Sequence, residues 1–172
     1  MNDRDSETLI LQGARFDVYA MQMQGDDGKS YTREVVRHPG AVVLLPLIDD
    51  DTVVMIENTR ATVGETLLEL PAGTREPDEP VQVTAHRELI EETGYRAGKL
   101  QLMHQFYSAP GICDELMHLY LATDLVQGDP DREATEKIVN RIVNRQQILD
   151  WMGDGKIRDA KTLVGLYAFL AR

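Results

Sequence analysis

One predicted helix places three acidic side chains on the same side. Residues 80–93 predict a helix, because a proline stands in the first turn and Gly94 suits the C-terminal end. At roughly 100° per residue, Glu88, Glu91 and Glu92 fall within an arc of about 100°. Apolar residues flank this arc, with Val81, Ala85 and Leu89 on one side and Val83 and Ile90 on the other. A helix with two apolar flanks is expected to pack between layers, where three carboxylates are costly without a cation.

The residue types in this cluster favour a hard cation. Mg²⁺ usually takes one or two carboxylates and completes its shell with substrate phosphates and water. Arg87 stands beside the cluster, where it can pair with one glutamate and hold its orientation. Spacing alone leaves a second interpretation open, in which the helix has a solvated, glutamate-rich face and Arg87 is an ordinary ion-pair partner.

The rest of the pattern predicts a β-rich domain with few helices. Residues 14–24 and 30–37 alternate apolar and polar side chains around a glycine- and aspartate-rich turn, which predicts a β-hairpin. Residues 41–48 are the most apolar stretch and predict a buried strand. Further strands are predicted at 52–57, 66–70, 99–107, 116–123 and 137–143, an acidic loop at 127–136, and helices at 146–152 and 160–171. Because strands and helices do not alternate, a doubly wound parallel sheet is disfavoured.

Composition limits the partners and the compartment. The 172 residues suit one domain, or one domain with a modest extension, and the net charge is −11. Such a charge disfavours nucleic acid and anionic membrane as partners, and a phosphate substrate would need bound metal or placed arginines. The lone cysteine excludes an intrachain disulfide, the first residues lack a signal-peptide pattern, and residues 41–48 are too few to span a bilayer. We therefore expect a cytoplasmic protein.

Residues 73–95 contain a spaced motif that resembles the signature of the Nudix hydrolases. That signature is G-x5-E-x7-R-E-U-x-E-E-x-G-U, where U is a bulky aliphatic residue. The positions in register are Gly73, Glu79, Arg87, Glu88, Leu89, Glu91, Glu92 and Gly94. Tyr95 replaces the last aliphatic residue, which we interpret as a packing variation. So many fixed positions are a more specific signal than a short motif, and they favour a metal site over a solvated face.

The resemblance implies a fold and a set of metal ligands. The implied fold is α+β, a Nudix-type α/β/α sandwich with a mixed sheet and, here, an N-terminal antiparallel β extension. By the family pattern, Glu88 and Glu92 bind Mg²⁺, or Mn²⁺, directly. The main-chain carbonyl of Ala72 is often a further ligand. Glu91 assists as a ligand or helps to polarise water.

Segments outside the motif resemble the ADP-ribose pyrophosphatase branch, which includes hydrolases of other nucleoside-diphosphate sugars. Pro110 stands at the distance from the motif that is usual in that branch, and residues 108–115 resemble its substrate loop. Residues 32–41 resemble its N-terminal approach to the core, and residues 69–73 and 159–163 are also similar. The resemblance therefore extends over most of the chain.

In this branch, residues like Arg33 and Glu34 reach the nucleotide in the site of the partner subunit. The resemblance implies a homodimer in which a β-hairpin extension over residues 1–38 packs across the interface, next to a Nudix domain over residues 39–172. The alternative is that Arg33 and Glu34 form a cross-strand pair on the hairpin.

Further site residues follow from the same resemblance. Arg60 resembles an arginine that contacts the substrate phosphates, and Gly111 and Glu115 lie in the loop that contacts substrate. The catalytic base comes from the acidic loop before a late strand, where Glu136 matches best and Glu133 is the second choice. Arg60 could instead be a surface ion-pair partner, Glu133 and Glu136 could be solvated loop charges, and Gly111 could belong to a simple turn.

The implied activity is Mg²⁺-dependent hydrolysis of the pyrophosphate bond of ADP-ribose, which gives AMP and ribose 5-phosphate. A related hydrolase with a preference for ADP-glucose or GDP-mannose is the nearest alternative. Nucleoside triphosphates are less favoured as substrates, since residues 108–115 and the hairpin indicate the other branch. An ADP-ribose-binding sensor without turnover is the alternative from a different class of protein.

Overall fold

The computed structural model describes residues 7–132 and 136–172 and has an α+β fold. Its strands are β1 (Glu7–Gln12), β2 (Asp17–Gln24), β3 (Ser30–Arg37), β4 (Ala41–Asp49), β5 (Thr52–Arg60), β6 (Glu65–Glu69), β7 (Ala72–Thr74), β8 (Tyr95–Tyr107), β9 (Leu116–Gln127) and β10 (Ile138–Asn144). Its helices are α1 (Val81–Thr93), α2 (Arg145–Gly153) and α3 (Ala160–Leu170). Across these described ranges, no helix has the length and apolar character needed to cross a membrane.

The central sheet is mixed. Its main strand order is β10-β5-β4-β9-β8, with β6 paired to β5 and β7 paired to β4. Strands β4 and β9 run parallel, and the other pairs of this sheet are antiparallel. The order confirms the predicted mixed sheet and excludes a doubly wound parallel one.

Strand β4 lies inside the sheet and is buried on both faces. Val42 and Leu44 pack with Leu89 of α1, whereas Val43 and Leu45 pack in a second cluster with side chains of α2 and α3. All five side chains are fully buried. A strand without polar alternation is typical of a sheet that is covered on both faces. The packing confirms the predicted α/β/α sandwich.

Helix α1 forms an outer layer of the sandwich. Ala85 and Leu89 are buried against the sheet, and Gly94 ends the helix with a φ of 79° while its N–H donates to the carbonyl oxygen of Ile90. Glycine adopts this left-handed conformation without a steric penalty. Val83 is 51% exposed, so the predicted burial of both flanks is wrong. The reason is that the sheet covers only one side of the helix.

Strand β7 holds the loop after β6 beside α1. Ala72, Gly73 and Thr74 pair antiparallel with residues 41–43 at the start of β4. This strand is too short for side-chain periodicity to reveal it, and it was not predicted. Its pairing brings residues 72–74 next to the acidic side of α1.

The N-terminal strands form a separate antiparallel sheet. The predicted hairpin is confirmed, with Asp17 opposite Arg37 at its open end. Strand β1 adds a third strand that was not predicted, because its apolar run covers only residues 9–11 and shows no alternation. A bridge between Val36 and Cys113 joins this sheet to the loop before β9.

Three strands of the central sheet extend well beyond their predicted bounds: β5 continues to Arg60, and β8 and β9 are longer at the ends where they pair with each other. Strand β8 begins at Tyr95 and β9 ends at Gln127, and these two residues pair with each other. Polar residues and Gly98 interrupt the apolar pattern at this end of β8, so side-chain alternation stops before the backbone ladder does. Consequently, the acidic loop before β10 starts after Gln127.

Candidate active site

A cleft of about 1490 Å³ opens between the N-terminal sheet, the loop after β6 and α1. Its walls include three glutamates of α1, namely Glu88, Glu91 and Glu92, together with Arg60 and Arg87. Its size is above the range of roughly 300–1,000 Å³ that small ligands usually occupy. The cleft therefore combines the acidic side of α1 with several basic side chains, Arg60 and Arg87 among them, in a space large enough for an extended ligand.

Glu88 and Glu92 are buried although they line the cleft, with exposures of 9% and 3%. The backbone N–H of Ala72 donates to Glu92 Oε2 at 2.8 Å, and Arg87 Nη1 donates to Glu88 Oε1 at 2.7 Å. Burial raises the pKa of Glu88 to about 7 and the pKa of Glu92 to about 8, and it outweighs the opposing effect of these partners. Both acids are thus poorly stabilised as anions by the chain alone.

Gly73 allows the carboxylate of Glu88 to approach the backbone closely. A Cβ at this position would lie 1.8 Å from the carboxyl carbon of Glu88 and 2.0 Å from each of its oxygens. Such distances are far inside van der Waals contact. The first glycine of the motif is therefore required for space beside Glu88.

Arg87 orients the acidic groups around it. Its Nε and Nη2 donate to the carboxylate of Glu79 at 3.1 and 3.0 Å, and its Nη1 donates to Glu88 and Glu91 at 2.7 and 2.8 Å. Hydrogen bonds from Arg87 lower the pKa of Glu79 to about 2, so Glu79 stays ionised and anchors the guanidinium. The sequence indicated one glutamate partner for Arg87, and the structure gives it three.

The buried acids fit a hard cation. A solvated face would expose both carboxylates, whereas Glu88 and Glu92 are buried. Within the described part of the chain, no group of three or more His, Cys, Asp or Glu side chains could hold a metal ion. A cation here would take two carboxylates and find its other ligands among backbone, substrate and water oxygens, which suits Mg²⁺. The carbonyl of Ala72 as a further ligand stays a prediction.

Arg60 lies in the cleft wall within an ion-pair network that was not predicted. Its Nε and Nη2 donate to Glu69 at 2.8 and 2.7 Å, and Lys161 Nζ donates to the same carboxylate at 2.6 Å. Residues 69–73 and 159–163 had resembled the ADP-ribose pyrophosphatase branch, but the resemblance gave Glu69 and Lys161 no role. The sequence could not show the contact between Glu69 and Lys161, because 92 positions separate them in the chain.

Glu136 and Glu115 also line the cleft. Glu136 is near enough to the two buried acids for its charge to raise their pKa values. Glu115 Oε1 lies 3.5 Å from His38 Nδ1. Glu133, the second choice for the base, lies outside the described residues. The structure thus brings the preferred base candidate to the same cleft as the acids of α1.

Three predicted site residues do not line the cleft of their own chain. Arg33 and Glu34 are exposed on β3, and Gly111 is exposed in the turn before β9. Arg33 lies opposite Met21 and Glu34 lies opposite Ala20 on β2. Neither residue therefore forms a cross-strand charge pair. Their role in the site of a partner subunit, and the homodimer itself, stay predictions.

The raised pKa values predict that the metal-free protein loses stability as the pH rises from 6 to 9. Glu88 and Glu92 have folded pKa values of about 7 and about 8, above the ordinary value of 4.5, so the folded state holds protons that the unfolded state releases. The resulting stabilisation is complete below pH 4.5 and is lost as the pH rises through the folded pKa values. We expect the Tm in EDTA to fall over this range by more than in a Glu88→Gln/Glu92→Gln variant. An equal fall in both proteins would contradict the assignment.

The family model of the NUDIX domain matches residues 37–163 of this chain. The match spans the central sheet, α1, α2 and the start of α3, and it includes all the residues of the motif. The cleft residues of α1 therefore lie within the matched region.

Several known proteins are similar over most of this chain. An ADP-ribose pyrophosphatase from Bacillus subtilis (strain 168) is 37% identical over 155 residues, which cover 89% of this chain and 84% of that protein. A methanol dehydrogenase activator from Bacillus methanolicus is 34% identical over 167 residues, with coverage of 93% and 90%. A GDP-mannose pyrophosphatase from Yersinia pestis (strain Pestoides F) is 32% identical over 174 residues, with coverage of 92% and 85%.

A solved structure supports the fold independently. The crystal structure of an ADP compounds hydrolase superposes with a TM-score of 0.78 at 21% identity and covers 94% of this chain and 91% of that one. At this identity the likeness concerns the fold alone. Together with the family match and the relatives, it leads to one conclusion: the chain belongs to the Nudix family.

Proposed function

We propose that this Nudix pyrophosphohydrolase cleaves the diphosphate of a nucleoside-diphosphate sugar in a Mg²⁺-dependent reaction, with ADP-ribose as the preferred substrate. One observation carries the proposal: Glu88 and Glu92 are buried in the wall of the same cleft that Arg60 lines. The similarity to the Bacillus subtilis protein named ADP-ribose pyrophosphatase supports the choice of substrate. The products would be AMP and ribose 5-phosphate.

Glu88 and Glu92, with the main-chain carbonyl of Ala72, would hold Mg²⁺ or Mn²⁺. When bound, the ion supplies charge neutralisation at the phosphates and a water of lowered pKa. Arg87 bonds to Glu88 and to its neighbour Glu91, so these carboxylates keep their orientation before substrate arrives. Because these side chains are already in place, less reorganisation of the site is needed when substrate binds.

Arg60 would hold the diphosphate. Its side chain is 37% exposed in the cleft wall, and its charge interacts with that of Glu92. A chain with a net charge of −11 repels phosphates at long range, so a fixed cation is needed where they bind. The guanidinium fork matches phosphate oxygens and offsets the charge that develops as the bond breaks.

Glu136 would take the proton from the attacking water. The water oxygen forms a bond to one phosphorus, the bond between that phosphorus and the bridging oxygen breaks, and the other phosphate leaves with the bridging oxygen. The middle of the acidic loop is tied to α1, since Arg132 Nε donates to the carbonyl oxygen of Glu92 at 2.9 Å. This anchor supports a base in the same loop, with Glu133 as the second choice.

A substrate panel tests the proposal. Wild-type protein is incubated with ADP-ribose, ADP-glucose, GDP-mannose and nucleoside triphosphates, in Mg²⁺ and in EDTA, and the products are separated. We expect AMP and ribose 5-phosphate to form fastest from ADP-ribose, and no product in EDTA. If the protein binds ADP-ribose but cleaves none of the compounds, the proposed enzyme activity is wrong and the protein is a sensor without turnover.

A preference for GDP-mannose is the second candidate, and the similarity to the Yersinia pestis protein named GDP-mannose pyrophosphatase favours it. The chemistry at Glu88, Glu92 and Arg60 would be the same, because the diphosphate is common to both substrates. The panel separates the candidates by the ratio of kcat/KM for the two compounds.

A further inference from the structure

Glu69 is a buried carboxylate outside the Nudix motif. It ends β6, and its side chain is 1% exposed. It accepts hydrogen bonds from Arg60 Nε and Nη2 at 2.8 and 2.7 Å and from Lys161 Nζ at 2.6 Å. A buried carboxylate is tolerated when it is paired and hydrogen-bonded in this way. All three side chains of this network line the cleft.

The pair with Glu69 fixes the direction of the Arg60 guanidinium. Two of its three nitrogens, Nε and Nη2, are used by one carboxylate. Its Nη1 has no hydrogen-bond partner within residues 7–132 and 136–172. Because the Arg60 side chain is 37% exposed and lines the cleft, the edge that carries Nη1 is left for a ligand.

Lys161 keeps the charge of Arg60 available. Glu69 alone would cancel that charge, but Lys161 Nζ lies 2.6 Å from Glu69 and 3.0 Å from Asp159 Oδ1. Asp159 also caps α3 by accepting a hydrogen bond from the N–H of Thr162 at 3.0 Å, and the N-terminal dipole of the helix offsets its charge further. Lys161 and the N-terminus of α3 thus offset most of the charge of the two carboxylates, so part of the charge of Arg60 remains available to the cleft.

We propose that Glu69 is a positioning residue that holds Arg60 so that its unbonded edge meets the substrate diphosphate, with Lys161 as the counter-charge. The inference rests on the proposed function, in which Arg60 binds the diphosphate. An arginine that is already held on one side loses less freedom when it binds a phosphate, so substrate affinity depends on Glu69. If Glu69 had only a structural role, its replacement would lower the stability of the fold. Any effect of that replacement on kcat/KM would then be the same with and without Arg60.

A double-mutant cycle with ADP-ribose separates the two roles. We expect Glu69→Gln to lower kcat/KM about tenfold, mainly through KM, and Arg60→Ala to lower it at least as much. In the Arg60→Ala background, Glu69→Gln should change kcat/KM by less than about twofold, because the group it positions is gone. The control is Glu57→Gln, which removes a glutamate paired with Arg141 at 2.7 Å outside the cleft lining and should leave both constants unchanged.

Each result has one meaning. The positioning role is overturned if Glu69→Gln lowers kcat/KM by the same factor in the wild-type and Arg60→Ala backgrounds. It is also overturned if Glu69→Gln leaves kcat/KM unchanged in the wild-type background. In both cases Arg60 keeps its own function. An Arg60→Ala variant with unchanged kcat/KM would remove Arg60 from the phosphate site, and the inference would fail with it. If Glu69→Gln does not fold, Glu69→Asp replaces it, since the charge is kept and only the reach toward Arg60 is shortened. In the Arg60→Ala background, Glu69→Asp should likewise change kcat/KM by less than about twofold.

Discussion

Replacing Glu92 by glutamine is expected to lower kcat by at least about 100-fold without unfolding the protein. Groups that merely support metal ligands change activity or affinity by roughly 10–100-fold, and a direct ligand should reach the upper end of that range or exceed it. Glutamine keeps an oxygen that can accept the hydrogen bond now donated by the N–H of Ala72 at 2.8 Å. It loses the negative charge and one of the two oxygens that a cation needs.

The stability of the Glu92→Gln variant separates loss of chemistry from loss of fold. Burial raises the pKa of Glu92 to about 8, so the ionised carboxylate destabilises the metal-free fold at high pH. The variant should therefore have a Tm in EDTA at pH 9 at least as high as that of the wild type. The rise in Tm that Mg²⁺ gives the wild type should be reduced. These measurements use thermal unfolding monitored by circular dichroism.

The matched control for Glu92→Gln is Glu57→Gln, the same substitution at a glutamate on β5 that does not line the cleft. Its kcat in saturating Mg²⁺ should equal that of the wild type. A Glu92→Gln variant whose kcat stays within about twofold of the wild type would remove Glu92 from the metal site. The roles assigned to its neighbours on α1 would then need to be reassessed.

Secondary structure could be predicted from the sequence where an apolar run was long or where the end of a helix was clearly marked. Strand β4 has apolar residues at successive positions, and α1 has a clear C-terminal glycine, so both were found close to their real bounds. Strands β1 and β7 were missed because backbone pairing, rather than alternation, defines them. Val83 was misplaced because periodicity shows that a flank is apolar but does not show whether anything covers it.

The candidate site divides in the same way. Glu88, Glu91 and Glu92 share one helix, so their spacing alone brought them together before any fold was known. Arg60, Glu69 and Lys161 come from β5, β6 and α3, and only the packed structure brings them into one network. Contacts between residues that are distant in the chain depend on sheet order and helix placement, which no local pattern contains.

Gly73→Ala is expected to lower kcat/KM by about 100-fold while changing the Tm only slightly. The added methyl group would lie 1.8 Å from the carboxyl carbon of Glu88, so that carboxylate must move. The end of a flexible side chain can move at small cost to folding. Arg87, however, holds the same carboxylate at 2.7 Å, so the displacement changes both the position and the pairing of a metal ligand. A misplacement of about 1 Å at a reacting centre costs roughly 100-fold in rate.

The comparison for this variant is Gly153→Ala at the end of α2, where an added Cβ would meet nothing within 4 Å. Its kcat/KM for ADP-ribose should equal that of the wild type, which separates the effect of lost glycine freedom from the effect at Glu88. Titration with Mg²⁺ adds a second readout, because a displaced Glu88 should raise the metal concentration needed for half-maximal rate. A Gly73→Ala variant with normal kcat/KM and normal metal dependence would mean that the position of Glu88 does not limit the reaction. A large fall in Tm would mean instead that the backbone of β7, which pairs with β4 at this residue, had to move.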